Sequence, residues 1–144
     1  MPQFAGIESR LEKLDDCVNR LEAIRPVSLD DFLGDPDLQD IVARRFEVAG
    51  QCCIDLASRI ISLEGAPRRE GGQESLLALG QLGILEPELA REVAPVAGFR
   101  NVLAHDYVEV DYEVVYAHPS QLEVLRRFAT SVREWMKLRQ SSSG

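Results

Sequence analysis

An all-α fold is predicted by three features of this 144-residue sequence. Apolar residues recur at steps of three and four along four long stretches, the period of a helix with one buried face. Proline and most glycines fall between those stretches; Gly50, Pro95 and Gly98 lie inside them. One run, residues 108–116, alternates like a strand, but no second alternating segment exists to pair with it. Short connections make consecutive helices antiparallel neighbours. The expected architecture is an antiparallel four-helix bundle with one additional short helix.

The first helix is predicted from the seam Ile7, Leu11, Leu14, Val18, Leu21, and Pro26 ends it. Residues 27–40 are rich in Asp and Pro and read as a loop with a short turn at 29–33. Asp37 is the expected cap of the next helix. That helix has the longest seam: Val42, Phe46, Ala49, Cys53, Leu56, Ile60 and Leu63. Ile41, Val48 and Cys52 widen its apolar face, so it should touch more than one neighbour. Gly65 and Pro67 stop it. After a flexible connection, Leu76, Leu77, Leu79 and Leu82 form a short helix ended by Gly83.

Pro87 opens the next long helix, where its missing N–H would be unpaired anyway. Its seam is Leu89, Val93, Val96, Phe99, Leu103; Pro95 and Gly98 lie inside it and predict a weakened, kinked helix. Residues 108–116 are expected as an extended link followed by a helical turn capped by Asp111. Pro119 opens the last helix, with Leu122, Leu125, Ala129, Val132 and Met136 as its seam. Val124, Phe128, Trp135 and Leu138 lie beside that seam, and Phe128 and Trp135 are expected in the core or an interface. Residues 1–140 then form one domain, and residues 141–144 a disordered tail.

Composition narrows the class. Apolar residues make up 45% and charged residues 28%, a globular balance. No stretch is long and apolar enough for a membrane span, and the first residues lack the basic-then-apolar pattern of a signal peptide. Cys17, Cys52 and Cys53 are odd in number and have no metal-ligand spacing, so buried thiols in a reducing cytoplasm are expected. The net charge of −8 opposes tight nonspecific binding to nucleic acid. Residues 1–40 hold 4 of the 16 Lys/Arg and 10 of the 24 Asp/Glu, a net of −6, so the acidity lies mostly at the front of the chain. Arg68, Arg69, Arg91, Arg100, Arg126, Arg127 and Arg133 are left to supply a local basic site. Asp30, Asp31, Asp35, Asp37 and Asp40 do not have calcium-loop spacing and read as a solvated or partner-docking loop.

Chemistry concentrates in residues 98–107, GFRNVLAHDY. At about 100° per residue, Asn101 and His105 share a helix face, while Arg100 and His105 lie about 140° apart. A second copy of the helix would complete a site that one copy leaves split, which motivates a homodimer. Histidine titrates near neutrality and suits proton transfer. Arginine grips phosphate with two N–H groups and stabilises developing negative charge. Asparagine can orient either partner. The set can cleave RNA without metal, by activating a ribose 2′-OH and supporting the crowded phosphorus of the transition state. The plainer alternative is a helix terminus where a cationic histidine suits the helix dipole. His118, before Pro119, reads as a surface histidine.

The same segment resembles the Arg-x4-6-His motif of the HEPN superfamily. With Val110-Asp111 and Val115-Tyr116 after it, the string is similar to the HepT branch, ribonuclease toxins paired with minimal nucleotidyltransferase antitoxins of the MntA type. The likeness takes in the acidic first helix, the Asp55-Leu56-Ala57 run of the long helix, and residues 84–116. It implies an HEPN-like fold and a cytoplasmic, metal-independent endoribonuclease toxin of a type VII-like toxin–antitoxin system, with no cofactor. Arg100 and His105 match the ends of the motif and Asn101 its polar residue. Two motifs would face each other across a homodimer to form one RNA-cleaving cleft. Tyr107 matches the tyrosine that the antitoxin modifies with AMP; bulk and negative charge there would block the cleft. Two alternatives remain at this point. One is a non-catalytic helical subunit that partners a minimal nucleotidyltransferase; the other is a plain helical interaction module.

Overall fold

The computed structural model describes residues 4–24, 27–105, 110–112, 115 and 119–142. All regular structure among them is helical. The helices are α1 (Ala5–Ile24), α2 (Leu29–Leu33), α3 (Pro36–Leu63), α4 (Gly72–Gln81), α5 (Pro87–His105) and α6 (Pro119–Ser142). The four long ones close a ring, α1 against α3, α3 against α5, α5 against α6, and α6 back on α1. The short α4 packs on α3 and α5, and the single turn of α2 packs on α3. This is the expected four-helix bundle with its additional short helix; α2 is the turn expected at 29–33.

The predicted seams are the core. Ile7, Leu11, Leu14, Val18 and Leu21 of α1 are all buried, as are Val42, Phe46, Ala49, Cys53, Leu56 and Ile60 of α3. Leu122, Leu125, Phe128, Ala129, Val132 and Trp135 bury the inner face of α6. The hydrophobic effect at this seam, not helix propensity, supplies most of the stability of such helices. Two of the residues expected to widen seams do not: Ile41 is 48% exposed and Leu138 70% exposed. Both side chains stand on the outer flank of their helices.

Helix ends follow local chemistry. Asp35, not Asp37, caps α3: its carboxylate accepts from the Leu38 N–H at 3.1 Å, and Pro36 takes the first helical position. Ser28 caps α2 in the same way through the Asp31 N–H. At the other end of α3, Gly65 has φ +70°; its N–H donates to Ser62 and the Ala66 N–H to Ile61. Gly83, at φ +78°, closes α4 with the matching pair, Gly83 to Gly80 and Ile84 to Leu79. Both are Schellman endings, which need a left-handed residue and so favour glycine.

α4 starts at Gly72, earlier than its leucines indicate, with no side-chain cap. α5 is continuous through Pro95 and Gly98. Pro95 lies on the exposed side, so the backbone carbonyl it leaves unpaired faces water. After α5, Tyr112 and Val115 are helical, and the Val115 N–H donates to the Asp111 carbonyl at 3.2 Å. The expected helical turn after Asp111 is therefore present. α6 continues to Ser142, two residues into the expected tail.

Polar contacts tie α6 to its neighbours. Arg133 meets Asp15 of α1 at 2.6 Å, Arg126 meets Glu22 and Asn19, and Arg127 meets Glu92 of α5. Asp55 of α3 accepts from Gln51 at 2.8 Å and from Arg10 of α1 at 3.4 Å, while Leu56 and Ala57 beside it are fully buried.

Candidate active site

The candidate site sits on the last turns of α5, and packing fixes where those turns lie. Val93, Ala94, Val96 and Ala97 are buried, and small side chains let α3 and α4 approach closely. A methyl group built on Gly80 of α4 would come within 2.8 Å of Ala90, and one on Gly72 within 3.1 Å of Ala97. Phe99 meets Phe46 of α3 edge-to-face, centroids 5.8 Å apart. Leu103 closes the inner face one turn later.

On this anchored helix, Arg100 is half-buried and Asn101 and His105 are exposed. The Arg100 stem turns toward α3, against Gly50. Its guanidinium then donates to the Asn101 side-chain oxygen at 2.9 Å. The structure thus brings Arg100 and Asn101 together despite their different helix faces. His105 lies one turn beyond Asn101 on the same exposed face, in the last turn of α5, where a cationic side chain suits the helix dipole. The Arg100 Nε is buried and has no hydrogen-bond partner among the described residues. Such a group persists only where surrounding packing holds it. Tyr107 and His118 lie outside the described residues.

Other expected features resolve differently. Arg126, Arg127 and Arg133 spend their charge on acidic side chains of α1 and α5, so they do not join Arg100 in a basic patch. All three cysteines are free and buried. Burial pushes the Cys52 thiol up to about 11 and raises Cys17 and Cys53 as well. They are therefore poor nucleophiles at neutral pH. Among the described residues, no group of three or more His, Cys, Asp or Glu can hold a metal ion, and no helix is long and apolar enough to cross a membrane. An open groove of about 820 Å³ lies between the α4–α5 connection and α6, lined by Ile84, Pro87, Arg126 and Glu134 among others. It sits at the start of α5, the end opposite Arg100 and His105, and its walls carry both signs of charge.

Comparison with known proteins places this helix in context. Residues 14–132 match the family described as ribonuclease HepT-like. The chain belongs to the HepT-like ribonuclease family. It is 34% identical over 110 residues to the tRNA nuclease HepT of Aphanizomenon flos-aquae, covering 76% of this chain and 75% of that one. It is 24% identical over 109 residues to the mRNA nuclease HepT of Shewanella oneidensis, covering 76% and 81%. Among solved structures, the fold is similar to the tri-AMPylated HEPN toxin of Shewanella oneidensis in complex with its MNT antitoxin, with a TM-score of 0.80 at 22% identity over 90% of this chain and 98% of that one. It is also similar to YutE, a cytosolic protein of unknown function from Bacillus subtilis, with a TM-score of 0.75 at 14% identity over 92% of each chain. These likenesses establish the HEPN-like fold of this HepT-like chain.

The sequence does not single out the residue that faces Arg100. Gly50 is the only glycine inside α3. A glycine that interrupts a strong helical seam signals a close approach, and here the approaching group is Arg100.

Proposed function

We propose that this chain is an endoribonuclease toxin whose site is built on Arg100, Asn101 and His105. The observation that carries the proposal is the seating of Arg100 beside Asn101 on the last turns of a helix in a HepT-like chain. His105 moves the proton. It takes it from the ribose 2′-OH as that oxygen attacks the adjacent phosphorus, and returns it to the departing 5′ oxygen. Arg100 holds the phosphate and stabilises the charge that builds on its oxygens. Asn101 orients the Arg100 guanidinium. One P–O bond forms and the P–O5′ bond breaks, leaving a 2′,3′-cyclic phosphate and a 5′-hydroxyl. No step requires a metal or a cofactor.

The active unit is a homodimer in which two α5 ends face each other, since one helix aims Arg100 and His105 about 140° apart. The chain acts in the cytoplasm on RNA and is silenced when a minimal nucleotidyltransferase antitoxin of the MntA type transfers AMP to Tyr107. Bulk and phosphate charge there repel the RNA backbone. The names of the solved relatives, a tri-AMPylated toxin bound to its antitoxin among them, support the pairing.

The test is RNA cleavage by purified protein in excess EDTA, with wild type and His105→Ala compared at matched folding. Cleavage lost in the variant, with cyclic-phosphate product ends, is the expected result. Cleavage that needs added magnesium and survives His105→Ala would overturn the mechanism. If neither protein cleaves and intact mass shows no AMP on the chain, the non-catalytic partner of a nucleotidyltransferase becomes the better account.

A further inference from the structure

Arg100 does not rest on the surface of α5. Its stem lies in the cleft between α5 and α3, where a glycine stands on the facing helix. A methyl group built on Gly50 would lie 2.6 Å from the Arg100 Cβ, 3.1 Å from its Cγ and 3.3 Å from the Val96 carbonyl oxygen. Real Cβ atoms do not approach carbon at 2.6 Å; ordinary contact begins near 3.4 Å. Two of the three obstructing atoms are the root of the Arg100 side chain and the third is backbone, so neither can swing aside. The Phe46–Phe99 ring pair lies a turn away on one side, and Ile54, Ala97 and Gly72 crowd the other. Moving α5 away would open both contacts.

We propose that Gly50 is a positioning residue for Arg100. Its missing side chain lets the arginine stem lie against α3, and that contact fixes where the guanidinium ends, beside Asn101. The proposal rests on the reading of Arg100 as the phosphate-binding group. The buried, unpartnered Arg100 Nε fits it: the stem is held by packing, at the expense of one hydrogen bond. Gly98 supplies the contrast. It lies on the same helix two residues away, and a methyl group there meets nothing within 4 Å. Close approach therefore does not extend to every glycine near Arg100; Gly50 shares it with Gly72 and Gly80, but it alone meets the arginine stem.

Relieving a 2.6 Å contact moves the arginine root by most of an ångström. A displacement of about 1 Å at a positioned group can lower a rate roughly 100-fold. The experiment takes full-length wild type, Gly50→Ala, Arg100→Ala and the exchange variant Gly50→Ala/Arg100→Gly. It reads thermal melting, kcat and KM for RNA cleavage, and the Arg100 Nε–H signal in a ¹⁵N-labelled sample, assigned by its loss in Arg100→Lys. Gly50→Ala is expected to fold, to lose about 100-fold in kcat with a much smaller change in KM, and to shift the Nε–H signal or speed its exchange with water.

Wild-type kcat and an unmoved Nε–H signal in Gly50→Ala, with Arg100→Ala inactive, overturn the positioning role and leave the catalytic reading standing. Full cleavage by Arg100→Ala overturns the catalytic reading, and the Nε–H signal then decides the positioning claim alone. If Gly50→Ala does not fold, the exchange variant decides. It removes the Arg100 Cβ and Cγ, so recovery of folding supports the contact, and failure to recover overturns it.

Discussion

Loss of Glu64 should loosen the C-terminal half of α6 from the end of α3. Glu64 is the C-cap residue of α3, and its carboxylate accepts from the Trp135 indole N–H and, at 2.9 Å, from Arg139. Arg139 also donates to the Leu63 carbonyl and lies 5.5 Å from the Trp135 ring centroid, while Phe4 packs edge-to-face on the same indole. Trp135 is 7% exposed, so Glu64→Ala leaves a nearly buried donor without its acceptor. That costs about 1–3 kcal/mol. The Arg139 pair, with side chains 36% and 28% exposed, is screened and contributes less than about 1 kcal/mol. The sum is roughly 2 kcal/mol, which for a chain of this length lowers Tm by about 6 °C. Glu64→Gln keeps an oxygen acceptor for the indole and should cost less than about 1 kcal/mol. Trp135 is the only tryptophan, so its fluorescence reports the cluster directly, and melting at a fixed protein concentration gives the energy. High salt weakens the ion pair and not the indole bond, so the gap between the Ala and Gln variants should persist there. Equal melting of those two variants, or an unshifted emission in Glu64→Ala, refutes the reasoning.

Two further predictions concern the helices around the site. Gly98→Ala should stabilise the fold by about 0.5–1 kcal/mol, because alanine favours a helix interior and meets no obstruction there; a lower Tm would show a contact within the assembled protein at that face. Stability should also fall as pH rises from about 9 toward about 11. Burial, then the nearby Cys17 and Asp55, raise the Cys52 thiol in the fold from 9.0 to about 11. In that window the unfolded chain loses the proton that the fold retains, so unfolding is favoured as pH climbs. Denaturant midpoints measured across the window should decline in wild type and decline less in Cys52→Ala; identical slopes would remove Cys52 as the cause.

The seams were legible because a period of three and four survives in any helix that buries one face; their residues are buried except Leu63, Phe99 and Met136, which are partly buried against the core. What the period lacks is knowledge of neighbours. Ile41 and Leu138 lie on the outer flank of their seams, so both are exposed although Val42 and Trp135 near them are buried. Asp35 and Asp37 are equally good caps by type; Pro36 decides between them, since it fits the first helical position after a cap. The start of α4 has no side-chain cap and so no signal. At the site, the sequence placed Arg100 and Asn101 on diverging faces by rotation alone. The long arginine stem, pressed along α3, brings its guanidinium back to Asn101. The partner in that contact is 50 positions earlier, and its signal is an absent side chain.

The acids of α1 explain how a chain of net charge −8 can host such a site. Arg126 and Arg133 of α6 are matched by Glu22 and Asp15, and Arg127 by Glu92 of α5. These arginines hold the bundle together and add little field for nucleic acid. A broad positive surface, the usual means of attracting RNA, is therefore not what α6 supplies. Under the proposed function, attraction and catalysis fall to the end of α5, where one cation is held in place by packing. Accuracy of placement then matters more than total charge, because a lone guanidinium that drifts by an ångström has no second basic group from α6 to replace it. On the proposed function, the glycine opposite Arg100 then carries more weight for the reaction than any of the paired arginines.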